Sequence, residues 1–283
     1  MEYKTFSEFE QDVQSMPTVP KKRELTFLDF GSIYASKVKN SLINGSSPFL
    51  PNDQGLIDLK ATYNMRTNEL NRGITQIMLK ERQSELNAPT GAFVTFDTIR
   101  EAQQSGVDCY IIKGQHGFDI QVQNPENKED IRTMKWFNIC QIVNPEKLKV
   151  YLDEQMKLRT QKTNDYNREH NPSFKEKKNP AEKQMDRPND KVMKINFESP
   201  EEYLGQILAA MSTGTKLVVT KEQAEFFKKT TIEALEKERK EGKIDRLAIF
   251  KIASKANTIC VNTVKALKEY EKNKNDPNLI LTR

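Results

Sequence analysis

The sequence predicts an α+β fold: a small mixed helix and antiparallel-sheet domain, then a disordered basic linker, then a small C-terminal helical module. Three features point to it. Between residues 60 and 145 short apolar runs alternate with helical segments. Residues 157–194 are rich in charge and almost free of aliphatic side chains. Beyond them, two serine or threonine capping signals open segments with 3.6-residue periodicity.

In chain order, an N-terminal helical segment occupies residues 1–45. Its pattern runs over 4–44, with Leu28, Ile33, Tyr34, Val38 and Leu42 apolar and Asn44-Gly45 as the stop. "SSPFLP" then forces an extended stretch, because a residue before proline is driven out of the helical region. The predicted domain of 46–150 contains a helix over 72–87, a strand at "AFVTF" and a helix at "DTIREAQQSG". A strand at "DCYII", a glycine turn, a strand at "FDIQV" and a last strand in "KWFNICQIV" complete it. Asp97 is the expected N-cap of its helix and Gly106 the stop. The segment 157–194 holds three prolines and a net charge equal to that of the whole chain, +5, and reads as a flexible tether. In the module of 195–275, Ser199-Pro200-Glu201-Glu202 and Thr220-Lys221-Glu222-Gln223 each open a helix, the second expected to stop at Gly242. The last helix gathers Ile249, Ile252, Ala256, Ile259, Cys260, Val264, Leu267 and Tyr270 in one arc. Lys251, Lys255, Lys265, Lys268 and Lys272 fall in the opposite arc.

Several function classes find no footing. No apolar run is long enough to span a membrane, and the polar N-terminus is unlike a signal peptide. Cys109, Cys140 and Cys260 are far apart, which reads as reduced thiols and a cytoplasmic protein. There is no HExxH, and the two histidines, His116 and His170, lack cysteine neighbours at zinc spacing. "MSTGTK" at 211–216 lacks the glycines a phosphate loop needs. The expectation is therefore a non-enzymatic protein with no catalytic residue, metal or cofactor.

Four stretches occur in a telling order: "TNELNRGITQIML" (67–79), "FVTFDTIREAQQSG" (93–106), "IIKGQHGFDI" (111–120) and "WFNICQIVNPEKL" (136–148). Together they resemble the N-terminal domain of ArdC-type antirestriction proteins and the related TraC-type plasmid primases. The family's Gly-x-Asn-x-x-Leu-Leu helix appears as Gly73 to Leu79 and its Trp-x-Thr-Phe element as Phe93 to Phe96. Its Lys-Gly-x-x-Gly turn appears as Lys113 to Gly117, and its Phe-Asn-x-x-Gln closure as Phe137 to Gln141. Thr75 stands for the usual asparagine, Phe49 and Phe93 for tryptophans, and Gln115-His116 where a charged residue is common. The resemblance spans roughly residues 40–148. It implies a single-stranded-DNA-binding domain of a plasmid, phage or other mobile element, protecting or processing incoming DNA. Full-length relatives add a metalloprotease-like domain with HExxH, or a primase; with no HExxH in this sequence, neither activity is expected here.

On that basis the DNA-binding candidates are Tyr63, Arg66, Arg72, Lys80, Arg82, Phe96, Lys113, Gly114, Gly117, Trp136 and Phe137. Lys113 with two glycines can offer a cation and open backbone N–H groups to a phosphate, or form an ordinary hairpin turn. Tyr63, Arg66, Arg72, Lys80 and Arg82 form a locally basic stretch or a solvated helix face. Phe96, Trp136 and Phe137 can stack on unpaired bases or serve as core. His116 reads as a polar turn residue. One rival keeps the fold and binds a host defence or replication protein through the C-terminal helices. Another is a nuclease, with Asp97, Asp108 and Asp119 as its carboxylates.

Overall fold

Thr26 starts the first helix described in the computed structural model, which covers residues 25–57, 60–123, 131–171, 189–194, 197–237 and 245–274. The expectations for 4–24, for 172–188, for Gly242 and for the side chains of Tyr270 and Lys272 lie outside it. Thr26 accepts from Asp29 N while the Asp29 carboxylate accepts from Thr26 N, so two of the helix's orphan donors are satisfied reciprocally. Helix α1 (Phe27–Ile43) buries Phe30, Tyr34, Val38 and Leu42, a stripe at four-residue spacing. Leu28 and Ile33, expected in that stripe, lie on its flanks and are exposed.

A five-stranded sheet follows, built from β1 (Tyr63–Asn64), β2 (Glu69–Leu70), β3 (Ala92–Thr95), β5 (Phe118–Gln123) and β6 (Ile131–Asn138). Its strand order is β2-β1-β3-β6-β5, with β1 and β3 parallel and the other neighbours antiparallel. Helix α2 (Gly73–Glu85) joins β2 to β3, and α3 (Phe96–Gln104) leaves β3 without an intervening loop. That direct junction moves the cap of α3 two residues upstream of the expected Asp97. Thr95 Oγ1 accepts from Thr98 N, and Asp97 instead pairs with Arg100.

Successive strand residues point to opposite faces, and each face meets its own core. Phe93, Ile120 and Trp136 pack with α1, α2 and the helices α5 (Pro200–Thr213), α6 (Lys221–Glu236) and α7 (Ala248–Lys274). Val94, Phe137 and Met65 pack with α3 and the first turns of α4 (Pro145–His170). The fold is thus α+β with helices on both faces of one small sheet.

Two strand expectations change. The run expected as one strand at 135–143 is broken by a 3₁₀ turn over Ile139–Gln141, leaving β6 and a short β7 (Ile142–Val143). Strand β4 (Tyr110–Ile111) pairs with β7, whereas β5 pairs with β6, so the glycine turn connects two sheets and is not a hairpin. Part of the expected tether is ordered: residues 157–170 continue α4, and β8 (Asn189–Lys194) pairs in parallel with β9 (Thr215–Val218). Ser199 caps α5, although Glu202 reaches back to Glu198 N and not to the cap itself. The Thr220–Gln223 box is complete, and its helix ends at Glu236. In α7, Ile249, Ile252, Ala256 and Cys260 are buried as the arc predicts.

Edge strand β5 is closed off by Tyr34. Its hydroxyl donates to Asp119 O at 3.0 Å and accepts from Gln121 N at 3.1 Å. Burial of the ring and hydroxyl pushes the phenol up to about 12. The Tyr34→Phe variant should lose about 1–3 kcal/mol of unfolding free energy in urea titrations, since it strands two backbone groups away from water. A change within experimental error would show that water replaces the hydroxyl.

Candidate nucleic-acid interface

The turn over 112–117 is held from two sides. Gln115 N donates to Ile112 O at 3.0 Å, closing a four-residue turn, and Ile112 N donates to Gln141 O at 2.9 Å. Gly114, third in the turn, has φ +84, a conformation that glycine adopts without steric penalty. The His116 carbonyl accepts from Arg82 Nη2 and from Gln141 Nε2, both at 3.1 Å. Gln141 also donates to Gln115 Oε1 at 3.0 Å, and its own Oε1 accepts from Asn138 N at 2.9 Å. Asn138 Nδ2 donates to Thr90 O at 2.9 Å. The Asn138–Gln141 segment is therefore a bracket that ties the turn to the sheet, a role that spacing alone did not reveal.

Of the sequence candidates, Lys113 and Gly114 are exposed at this turn. Gly117 serves packing: a Cβ there would lie 2.5 Å from Lys135 Cγ and 2.7 Å from the Phe137 ring. Phe96 is 43% exposed, its ring centroid 6.4 Å from that of Phe137. Trp136 and Phe137, at 4% and 3%, are consecutive residues of β6 that enter the two opposite cores, so neither offers a face to a base. Tyr63 packs half-buried against the second core.

The cations do not gather in one cradle. Lys80 is 1% exposed and donates to Lys60 O at 2.8 Å and Gln83 Oε1 at 3.3 Å, so it is structural. Arg82 is held by His116 O and, at 3.2 Å, by Glu85. Arg66 pairs with Glu101 at 3.0 Å. Arg72 is exposed at the N-terminal end of α2, ten residues from Arg82 and hence about 15 Å away along the helix. Lys135, absent from the sequence candidates, lies against Gly117 with Nζ 3.6 Å from Asp119. Only strand register brings it there.

The acidic residues of the nuclease rival are each matched to a cation: Asp97 to Arg100, Asp108 to Lys147 and Asp119 to Lys135. The hydrogen bond and charge of Lys147 hold the Asp108 carboxyl below its ordinary range. Among the described residues no three His, Cys, Asp or Glu side chains converge as metal ligands. No helix among them is long and apolar enough to cross a membrane.

Replacing Gln141 with Ala removes both donors to the turn. We expect faster amide exchange at Ile112 and Gln115 with a loss of about 1 kcal/mol in global stability. Unchanged exchange at both amides would assign the tether to Arg82 alone.

No protein-family model matches the chain, and neither does any curated protein sequence. Two solved structures are similar to it, both of the antirestriction protein ArdC from plasmid R388. The Mn(II)-bound crystal structure aligns with a TM-score of 0.47 at 14% identity, covering 84% of this chain and 97% of that one. The metal-free crystal structure aligns at 0.43 and 13%, covering 82% and 96%.

Proposed function

We propose that this protein binds single-stranded DNA without chemistry of its own, in the cytoplasm, protecting or processing the incoming DNA of a mobile element. The four ordered motifs of residues 67–148 support that biological setting. One observation carries the binding itself. Phe96 presents an exposed ring over Phe137, and the Phe137 ring is also the contact point of Gly117, which ends the turn bearing Lys113 and touches Lys135. An exposed aromatic ring for one base, with a lysine and the exposed Gly114 backbone on a turn that is tied to the same sheet for a phosphate, is the kind of equipment a single-strand binder uses. Burial of Trp136 and Phe137 leaves Phe96 as the one exposed ring of the three stacking candidates, so a short site with little sequence preference is expected.

A second reading, docking of a protein, draws on a different surface. Tyr110 and Val143 are cross-strand partners in the β4–β7 ladder, and both are exposed, as are Ile112 and Val150. The two readings separate in one experiment: fluorescence anisotropy of a labelled oligothymidine at low and at moderate salt. Phe96→Ala should weaken binding by roughly 5- to 150-fold, the equivalent of one stacked base. Lys113→Ala should lower the slope of log affinity against log salt by about 0.7. If wild type fails to bind at low salt, the DNA reading is lost and the β4–β7 surface becomes the leading candidate.

A further inference from the structure

Between the C-terminal halves of α1 and α2 lies a cavity of about 290 Å³ lined by Lys37, Asn40, Asn44, Ser84, Glu81 and Glu85, among others. Glu81 is 2% exposed. Its Oε1 accepts from Ser41 Oγ at 3.0 Å and from Ser47 Oγ at 3.2 Å. Its Oε2 accepts no hydrogen bond from a described residue. The charged groups facing it are Lys37 from α1 and Glu85 from α2; the 44–50 loop contributes no charge, only hydroxyls and the Asn44 amide. Lys37 is committed elsewhere, since its ammonium pairs with Glu85 and sits 4.9 Å over the Phe118 ring. Glu81 is thus a carboxyl without a counter-ion of its own, next to space that can hold one. Burial pushes it up to about 7, with Glu85 adding to the rise, against the two hydroxyls and Lys37, which pull it down.

We propose that this cavity is a binding site for a primary ammonium group. The chemistry of the lining selects that class. An ammonium has three N–H donors; Glu81 Oε2 supplies one acceptor, and the amide oxygens of Asn40 and Asn44 or the Ser84 hydroxyl can supply the others. A guanidinium prefers two parallel carboxylate oxygens, and Oε1 is already taken by serine. A divalent metal would need more charge than one uncommitted carboxylate provides. An ammonium that binds ionised Glu81 displaces its proton, so binding weakens in acid.

The test uses the full chain in 0.15 M salt with two probes, putrescine and Nα-acetyl-lysine amide, followed by calorimetry at pH 8 and pH 6. Both should bind at pH 8, and affinity should fall about tenfold by pH 6 as the ionised fraction of Glu81 falls. Tighter binding of putrescine identifies a free amine as the source; tighter binding of the lysine derivative identifies a protein side chain. Glu81→Gln keeps an acceptor for both serines and should abolish binding in a folded protein. Its fold has an independent signature. A carboxyl raised from 4.5 to about 7 contributes stability that is complete below the lower value and lost as pH rises through the higher one. Wild-type stability should therefore decline across that window and the Gln variant's should decline less. Asn44→Leu, which removes an amide acceptor from the lining, narrows the cavity and leaves the serine contacts intact, should weaken binding of both probes. No heat of binding at pH 8 in wild type, or equal binding by Glu81→Gln, overturns the proposal.

Discussion

The enclosure of α2 governs much of what this fold can do. Every residue from Gln76 to Glu81 is buried, and so is Gln83, in a helix whose composition is more polar than apolar. An enclosed helix of that kind holds only if its polar groups find partners, because a stranded buried donor or acceptor costs about 1–3 kcal/mol. The partners found are all different. Lys80 reaches the 60–62 segment, Glu81 reaches α1 and the following loop, and Arg82 reaches the glycine turn. Each polar side chain therefore fixes one neighbour, and α2 sets the positions of the turn, the loop and the first helix together. The side-chain Nε2 groups of Gln76 and Gln83 donate no hydrogen bond, the residue of fitting so many constraints on one helix.

A second constraint divides the aromatic residues. β6 lies inside the sheet with helices over both faces, so the alternation of its side chains sends Trp136 to one core and Phe137 to the other. Phe96 escapes because β3 turns into α3 at that residue, which puts its ring at the sheet's end. Exposure of the one and burial of the others follow from where each strand stops.

This explains which features were legible in the chain. Capping signals at Thr220 and Ser199, the stripe of Tyr34, Val38 and Leu42, and the buried arc of α7 are local, and they can be read from periodicity. The burial of Lys80 cannot be read locally, because a lysine in a polar helix is nearly always solvated and this one depends on the Lys60 carbonyl, distant in sequence. A hairpin is the ordinary expectation for the glycine turn because its flanking runs are apolar and adjacent. Pairing of β4 with β7 depends on the break that Asn138 and Gln141 impose 25 residues later. Lys135 escapes for the same reason, since the register of β5 against β6 is not written in either strand alone.

The turn and the Glu81 cavity share one residue, and the size of that link decides whether they act as one site. Glu85 accepts from Lys37 at the cavity and from Arg82, which in turn donates to the His116 carbonyl. A cation entering the cavity could draw Glu85 toward itself and loosen Arg82. These side chains are about one fifth to two fifths exposed, and ion pairs so open to water are worth about 0–1 kcal/mol each. The His116 carbonyl also keeps its second donor, Gln141, whichever way Glu85 leans. Coupling through this chain is thus bounded at about fivefold in affinity, too little to make one site a switch for the other. The two proposed sites are therefore independent although one helix supports both, through its enclosed acid and through the arginine that holds the turn.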